Sequence, residues 1–408
     1  MWFRRLSGVL LLALLVAGLG PGLARAQARV DFNVFTVRGI EVDVTAETAA
    51  AAREAALAEG HVMAMQKLLA RLLPREELTR VIPLKAEQVV GFVKDFEVAA
   101  ERTSDVRYLA SLTFRFKPDA VRGLLRNDGL VHAETRSKPV LVLPVFGAVG
   151  EARLWEETNP WWKVWAQRQP EDWLVPLTVP LGDLGDISAI DADQALEGDM
   201  ERLSAIAARY GAQDVLITQA VLLGDPTLGE AVLQVGTSRL GAQMHQTIIE
   251  NYQQLPSETA EALLARVAEA VDTEIQESWK QRNLLRPGST RRKISVTVPI
   301  EGLDDWLKVK KRLKTVAAVQ RSELSSISRS RTELVITFVG DEQQLVLGMS
   351  QSDLVLSLNA VIGWELKLSE ARDRAKAPAT PLDASTGASL EQPPAGAAVP
   401  EPSAPASE

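Results

Sequence analysis

Apolar and polar positions follow a mixed strand and helix pattern over residues 30–135. The stretch "FNVFTVRGIEVDV" alternates in the way that a half-buried strand does. An alanine-rich helix is predicted over 48–73, with one apolar face made by Leu57, His61, Met65, Leu68 and Leu72. Pro74 ends this helix, and short helices, two strands and a closing helix follow. The pattern predicts an N-terminal α+β domain of the order β-α-β-β-α.

A second pattern, over residues 137–285, predicts a mixed α/β domain. The stretch "KPVLVLPVFG" is apolar on both faces, which is typical of a strand at the centre of a sheet. A helix near 193–210, the strand "GAQDVLITQAVLL", a hairpin and a long helix over 257–282 follow. Because strands alternate with helices here, we expect a mixed sheet covered by helices.

The third pattern, over residues 291–368, has the order β-α-β-β-α-β, which is that of a ferredoxin-like split βαβ domain. Its last strand, over 354–368, is interrupted. Residues 375–408 are rich in alanine, proline, serine and glutamate without any aromatic residue, so we expect a disordered tail. The predicted fold class is therefore multidomain, α/β and α+β, with a mixed-sheet central domain between two α+β domains.

Residues 1–26 have the order of a secretory signal peptide. Two arginines precede an apolar run from Leu10 to Leu19, and a Pro-Gly break follows. Ala24 and Ala26 fit an A-x-A site, so we expect cleavage after Ala26, with Ala28 as the alternative. The run is shorter than the roughly 20 residues that span a bilayer, and no later stretch approaches that length. We therefore expect a periplasmic mature chain without a transmembrane span; a retained N-terminal anchor is the alternative.

Composition excludes several kinds of chemistry. Cysteine is absent, which excludes disulfides, thiolate metal sites and the lipidated cysteine of a lipoprotein. The net charge of −8 becomes −11 without the three signal-peptide arginines, and an acidic chain is a poor candidate for binding nucleic acid. His61, His132 and His245 lie in different predicted elements, and no phosphate-binding loop motif occurs. We interpret His61 as a packed core histidine and expect no cofactor, no metal and no catalytic residue.

The stretch "RLWEETNPWWKVWAQ", residues 153–167, holds four of the nine tryptophans. Asn159 followed by Pro160 predicts a helix start, because the asparagine side chain caps a backbone amide and proline tolerates the first turn. A helix over 160–167 places Trp161, Trp162 and Trp165 on one broad face. Aromatic faces of this kind serve buried cores and binding surfaces alike.

Burial in a core or a domain interface is the default interpretation of these tryptophans, with Trp155 filling the strand-to-helix turn. Docking of a protein partner and binding of a small ligand or glycan are the alternatives, because α/β sheets place ligands after the ends of central strands. Acidic residues flank the cluster, namely Glu156, Glu157, Glu171 and Asp172, the last next to Trp173. Carboxylates beside aromatic rings are typical of glycosidases, although acidic pairs are also common on solvated loops.

Basic residues concentrate in the third domain. Arg291, Arg292 and Lys293 precede its first strand. The predicted helix over 303–314 carries a basic face made by Lys308, Lys310, Lys311, Arg312 and Lys314. Its apolar face is predicted to carry Leu303, Trp306, Leu307 and Leu313, with Val309 as a further candidate. The ordinary interpretation is a solvated face of an amphipathic helix; the alternative is a contact for anionic lipid headgroups, acidic wall polymers or an acidic partner.

Several stretches also carry a resemblance to known families. "VLVLPVFG" with "RLWEETNPWWKVW", followed by "LSAIAARYGAQDVLITQAVL", resembles a secreted bacterial family classified as a domain of unknown function, over most of residues 30–368. The segment "RYGAQDVLI" is similar to the small α/β domain at the N-terminus of TolB and in the middle of the flagellar assembly protein T. The N-terminal domain is similar to that of the same flagellar protein. Because these relatives are periplasmic assembly or interaction proteins, the resemblance implies a scaffold or adaptor and transfers no catalytic residue.

The sequence thus predicts an exported, periplasmic, non-enzymatic interaction or assembly factor of the bacterial cell envelope, with envelope proteins as partners. The candidate binding residues are Trp155, Asn159, Trp161, Trp162, Trp165, Lys308, Lys311 and Arg312. The alternative is a cell-envelope protein that binds or cleaves glycans through residues 155–173. A third hypothesis is a structural subunit of an oligomer, and the oligomeric state stays open.

Overall fold

The computed structural model describes residues 33–168, 172–241, 246–286, 288, 290–328 and 330–369. Contacts divide the chain into two compact units, with the boundary between Arg291 and Arg292. Eleven α-helices and three sheets are present in the described residues, which confirms the multidomain α/β and α+β fold class. Each predicted domain contains one sheet, and the first two sheets belong to the first unit. The predicted signal peptide and the predicted tail over 375–408 lie outside the described residues.

The first sheet begins the first unit. Its elements are β1 (Thr36–Thr45), α1 (Ala49–Leu72), α2 (Arg75–Leu78), α3 (Ala86–Val90), β2 (Val93–Thr103), β3 (Arg107–Phe116) and α4 (Pro118–Asn127). The strands are antiparallel in the order β1-β3-β2. Helix α1 starts where the Thr48 side chain accepts a 3.1 Å hydrogen bond from the Ala51 amide. The helix lies across the sheet and buries Met65, Leu68 and Leu72.

His61 is part of this packing. Its ring lies edge-on to Phe114, with the ring centroids 4.9 Å apart. Its Nδ1 is 2.6 Å from the carbonyl oxygen of Leu57, one turn earlier in α1. The half-buried imidazole is therefore held between its own helix and the aromatic side chains of the sheet.

The second sheet follows in the same unit. Its elements are β4 (Val140–Phe146), α5 (Pro160–Gln167), β5 (Leu177–Thr178), α6 (Leu184–Ala189), α7 (Ala192–Glu197), α8 (Met200–Arg209), β6 (Asp214–Leu223), β7 (Val232–Leu240), β8 (Gln246–Gln253) and α9 (Ala260–Arg282). The order is β5-β4-β6-β7-β8, with β4 parallel to both of its neighbours and antiparallel pairing from β6 onward. The first six residues of β4 are buried, as expected for an apolar strand covered on both faces.

Helices cover both faces of the second sheet. One face packs against α7 and α8 through Leu141, Leu143 and Ile217. Helix α5 contacts β4 and α9. Helix α9 also binds the segment that precedes β5. The Gln276 side chain exchanges two hydrogen bonds with the backbone of Val175, at 2.8 and 2.9 Å. A long helix thus joins the sheet to the loops around it.

The second unit contains β9 (Arg292–Pro299), α10 (Leu303–Leu313), β10 (Val319–Ile327), β11 (Arg331–Phe338), α11 (Glu342–Gln351), β12 (Leu354–Asn359) and β13 (Gly363–Leu368). The strand order is β10-β11-β9-β13-β12. The predicted β-α-β-β-α-β order is present, but the interrupted last strand is a hairpin of two strands. Gly363, with φ of +75°, follows the turn. Strand β13 consequently lies beside β9 and runs parallel to it.

Candidate functional site

Asn159 fixes the start of α5. Its Oδ1 accepts a 2.9 Å hydrogen bond from the Trp162 amide, which caps the helix. Its Nδ2 lies 2.9 to 3.1 Å from three backbone carbonyl oxygens, those of Pro144, Arg153 and Leu154. The side chain is fully buried. Asn159 therefore holds the loop after β4 against the end of that strand, and this candidate binding residue is engaged in internal hydrogen bonds.

Trp161 and Trp165 form the inner part of the tryptophan cluster. Both are buried, with 0% and 2% of their surface exposed. The rings pack edge to face with centroids 5.8 Å apart, and Trp161 Nε1 donates a 3.0 Å hydrogen bond to the carbonyl oxygen of Thr218 in β6. The Arg168 guanidinium lies 5.3 Å from the centroid of the Trp165 ring. These two indoles pack α5 onto the sheet.

Trp155 and Trp162 form the outer part and are only half-buried. Trp155 Nε1 donates to the carbonyl oxygen of Ile190 at 2.6 Å, and Trp162 Nε1 donates to that of Pro180 at 3.3 Å. Both rings lie against Gly182: a Cβ there would be 3.6 Å from Trp155 Cε3 and 3.8 Å from Trp162 Cζ2. The loop after β5 therefore rests on two partly open indoles.

Exposed aliphatic side chains lie on either side of Gly182 along the chain. Leu181 and Leu184 are 75% and 83% exposed, and Ile187, one turn further along α6, is 47% exposed. Together with Trp155 and Trp162, these residues form what we call the Leu184 patch. Clustered exposed apolar side chains are uncommon away from interaction sites. The three aliphatic residues were not predicted from the sequence, although the two leucines in the Gly- and Asp-rich segment "PLGDLGD" are a signal that could have revealed them.

A polar network holds this loop in place. Asp186 is buried and accepts hydrogen bonds from the Gly182 amide, the Tyr210 hydroxyl and Arg209 Nε, at 3.0, 2.5 and 2.9 Å. Asp183 accepts from Arg209 Nη2. The Asp186 amide and the Arg209 guanidinium hold the pKa of Asp183 below its usual range. Burial raises the pKa of Tyr210, and its bond to Asp186 adds to this. The exposed leucines therefore lie on a loop that hydrogen bonds and ion pairs hold in place.

The Leu184 patch lies at the carboxyl ends of parallel strands. Strands β4 and β5 are parallel neighbours, and the loops 147–159 and 179–183 follow their ends. Open α/β sheets place ligands at this edge. The structure therefore brings the half-buried tryptophans and the aliphatic loop residues to a position at which binding sites occur.

The acidic residues near the tryptophans have separate environments. Glu156 and Glu157 are exposed, and Glu171 lies outside the described residues. Asp172 Oδ2 is 2.9 Å from Arg38 Nη1, so Asp172 forms an ion pair with a residue of β1 in the first sheet. Trp173 lines a cavity beside α9, together with residues of α1 and α2. No described contact joins Asp172 or Trp173 to the indoles of the Leu184 patch.

Helix α10, in the second unit, differs in part from the prediction. Val309 and Leu313 are buried and Trp306 is half-buried, but Leu303 and Leu307 are 66% and 52% exposed. Of the predicted apolar face, Trp306, Val309 and Leu313 therefore pack against the core of this unit, whereas Leu303 and Leu307 remain at the surface.

The basic residues of α10 do not form the single face that was predicted, because Lys310 and Lys314 share a side of the helix with Leu303 and Leu307 whereas Arg312 lies on the opposite side. Lys308 Nζ lies 3.3 Å from Asp305 Oδ1, Lys311 is exposed, and Arg312 Nη1 donates a 2.9 Å hydrogen bond to the Asp353 carbonyl oxygen. Of the three candidate binding residues on this helix, Arg312 therefore has a role in joining α10 to the turn before β12.

Among the described residues, no group of three histidine or acidic side chains is placed to hold a metal ion. No helix in the described ranges is long and apolar enough to cross a membrane. A scan against models of protein families and searches of curated proteins and solved structures found no match to this chain. The resemblance drawn from "RYGAQDVLI" and its neighbouring stretches therefore stays a prediction.

Proposed function

We propose that this protein is an exported, periplasmic, non-enzymatic interaction or assembly factor of the cell envelope, which docks an apolar segment of a partner protein on the Leu184 patch. The observation that carries the proposal is the pairing of half-buried indoles with exposed leucines on a hydrogen-bonded frame. Interfaces draw most of their binding energy from a few aromatic and large apolar side chains held in place before binding. The predicted signal peptide and the TolB-like resemblance support the same location and class of function.

Site-specific photo-crosslinking tests this proposal in cells that export the full chain. A benzophenone amino acid at Ile187 is expected to give defined adducts with one or a few envelope proteins. The same probe at Lys163, exposed on α5 outside the patch, serves as the matched control. Leu184→Asp should remove the Ile187 adducts while the circular dichroism spectrum stays unchanged, because a carboxylate opposes burial of the patch.

Two results would overturn the proposal. One is the absence of any adduct at Ile187, and the other is the same set of adducts at Ile187 and Lys163. Trp162→Ala provides a second test of the same patch, since its half-buried ring can be removed with a smaller loss of packing than that of the buried Trp161.

Helix α10 offers a second contact within this proposed function. Its exposed leucines, Leu303 and Leu307, lie on a surface that also presents Lys310 and Lys314, spaced so that all four share one side of the helix. Apolar side chains flanked by lysines are typical of helices that bind anionic surfaces. Binding to vesicles that contain phosphatidylglycerol, lost in the Lys310→Glu, Lys314→Glu double variant and absent with phosphatidylcholine alone, is the expected result.

A further inference from the structure

A groove lies between the C-terminal half of α9 and the strands β6, β7 and β8. The groove is partly open at the protein surface, so a ligand bound there would lie along it rather than inside a closed cavity. Its apolar lining is provided by Leu216, Ile248, Val271 and Ile275. The groove is separate from the residues that make the Leu184 patch, so an inference about it does not rest on the proposed function.

Charged residues of opposite sign stand at different points along this groove. Arg239 and Arg282 line it together with Glu250 and Glu274. Glu274 and Arg282 are eight positions apart on α9, which corresponds to about 12 Å along the helix axis. On the sheet, Arg239 pairs with the first residue of β8, whereas Glu250 lies four residues further along that strand. The groove therefore has a basic end and an acidic end.

The basic end holds two guanidinium groups near one carboxylate. Arg239 binds Asp214 through Nε and Nη2, at 2.9 and 2.5 Å. Burial lowers the pKa of Arg282, the positive charge of Arg239 lowers it further, and Asp214 acts in the opposite direction. An anionic group of a ligand would reduce the repulsion between the two guanidinium groups.

The acidic end of the groove favours a ligand group of positive charge. The Tyr252 hydroxyl donates a 2.7 Å hydrogen bond to Glu250. Burial raises the pKa of Tyr252, and the negative charges of Glu250 and Glu274 raise it further, while Arg266 lowers it. Two carboxylates at this end favour a cation.

Hydroxyl groups lie between the two ends. Thr237 is opposite Ile248 in the β7–β8 pair, and Ser278 is on the facing side of the groove in α9. The Ser278 Oγ accepts from Arg282 Nη2 at 3.2 Å, and its hydrogen can be donated to a ligand. Hydroxyls on both walls can bind amide groups, which a purely apolar ligand does not contain.

From this arrangement we propose that the groove binds a short peptide of three or four residues with apolar side chains and free termini. Its carboxylate lies at Arg239 and Arg282, its ammonium group at Glu250 and Glu274, and its amides near Thr237 and Ser278. An extended chain of three or four residues spans about 10 to 14 Å, which matches the separation of the charged ends. A fatty acid satisfies only the basic end and places its alkyl chain beside two carboxylates, so a peptide is favoured.

Isothermal titration calorimetry with the full chain tests the proposal directly. The probes are the tripeptide Leu-Ala-Leu with free termini, its N-acetyl form, its C-terminal amide, and dodecanoate. We expect the free peptide to bind and each blocked form to bind about tenfold or more weakly, because each lacks one charge-assisted contact. This comparison uses the unmodified protein and is independent of any effect of a substitution on folding.

Two variants then assign the ends. Arg282→Gln should weaken binding of the free peptide about tenfold but leave the affinity for the C-terminal amide unchanged. Glu274→Gln should likewise weaken binding of the free peptide about tenfold but leave the affinity for the N-acetyl peptide unchanged. Arg202→Gln and Glu261→Gln, at exposed positions outside the groove, are the matched controls and should leave every affinity unchanged. Equal affinity for the three peptides, no heat from any of them, or binding of dodecanoate in their place would each overturn the proposal.

Discussion

The ammonium group of Lys280, in α9, donates a 2.8 Å hydrogen bond to the carbonyl oxygen of Leu73, just beyond the end of α1. A second bond, of 3.0 Å, reaches the carbonyl oxygen of Ala70, and Glu277 pairs with the same ammonium group at 2.5 Å. Lys280 is 3% exposed. The last carbonyls of a helix lack intrahelical partners and carry partial negative charge, so the buried ammonium group of Lys280 stabilises the end of α1.

Lys280→Met is expected to lower the free energy of unfolding by about 2 to 4 kcal/mol, because it leaves two helix-end carbonyls and a carboxylate without their cation. Urea denaturation followed by circular dichroism measures this change. The control is Lys163→Met on the exposed side of α5, which should change stability by less than about 0.5 kcal/mol. Equal effects of the two substitutions would show that the Lys280 contacts contribute little.

Asn159→Ala should cost about 2 to 4 kcal/mol, since it removes a helix cap and also leaves buried carbonyl oxygens without a donor. Asn159→Asp keeps an acceptor for the Trp162 amide but points a second oxygen at those carbonyls, so it should not restore stability. Thr259→Ala, which removes only the cap of α9, should cost about 1 kcal/mol. Thermal and urea unfolding of the three variants give the comparison, and full rescue by aspartate would contradict the role assigned to Nδ2.

Gly60→Ala and Gly123→Ala should change stability in opposite directions, although both glycines lie within helices. A Cβ at Gly60 would be 2.9 Å from Leu112 Cδ1, whereas a Cβ at Gly123 in α4 meets no atom within 4 Å. Alanine favours a helix by about 1 kcal/mol over glycine, which should appear as a gain at Gly123. At Gly60 the clash outweighs this gain, and we expect a net loss of about 1 to 3 kcal/mol. Chemical denaturation of the two single variants measures both signs.

Glu134 should make the stability of the first unit depend on pH. Burial raises the pKa of this carboxyl, but hydrogen bonds from His132 and Arg122 outweigh burial and hold the pKa below its usual value of 4.5. A carboxyl whose pKa is lowered by folding stabilises the fold above its unfolded-state pKa, and this contribution is lost as the pH falls through the folded-state pKa.

The difference in unfolding free energy between the wild type and Glu134→Gln should therefore be largest near pH 7, at about 1 to 3 kcal/mol, and should shrink on acidification below about pH 4.5. Urea unfolding at a series of pH values measures it. Glu54→Gln, at an exposed position of α1, is the control and should give a small difference at every pH. A difference for Glu134→Gln that does not change with pH would contradict this assignment.

Local chemistry explains which elements could be predicted. The start of α5 follows from Asn159 and Pro160, because capping and the proline restriction act within one turn. The order of elements in the second unit follows in the same way from periodicity. The final hairpin was not separated into two strands, because β12 and β13 are both short and the turn between them keeps an apolar character at Val361 and Ile362.

The sequence by itself determined the fold class, the placement of β4 within a sheet, and the single aromatic face of α5. Only the tertiary structure decided that Trp161 is buried while Trp162 is partly open, because the two are neighbours on that face and the difference comes from β6 and the loop after β5. It also decided that Leu184 and Leu307 are exposed and that a groove remains between α9 and the strands β6, β7 and β8. Periodicity reports which side chains share a face, but their exposure depends on elements distant in the chain that pack against that face.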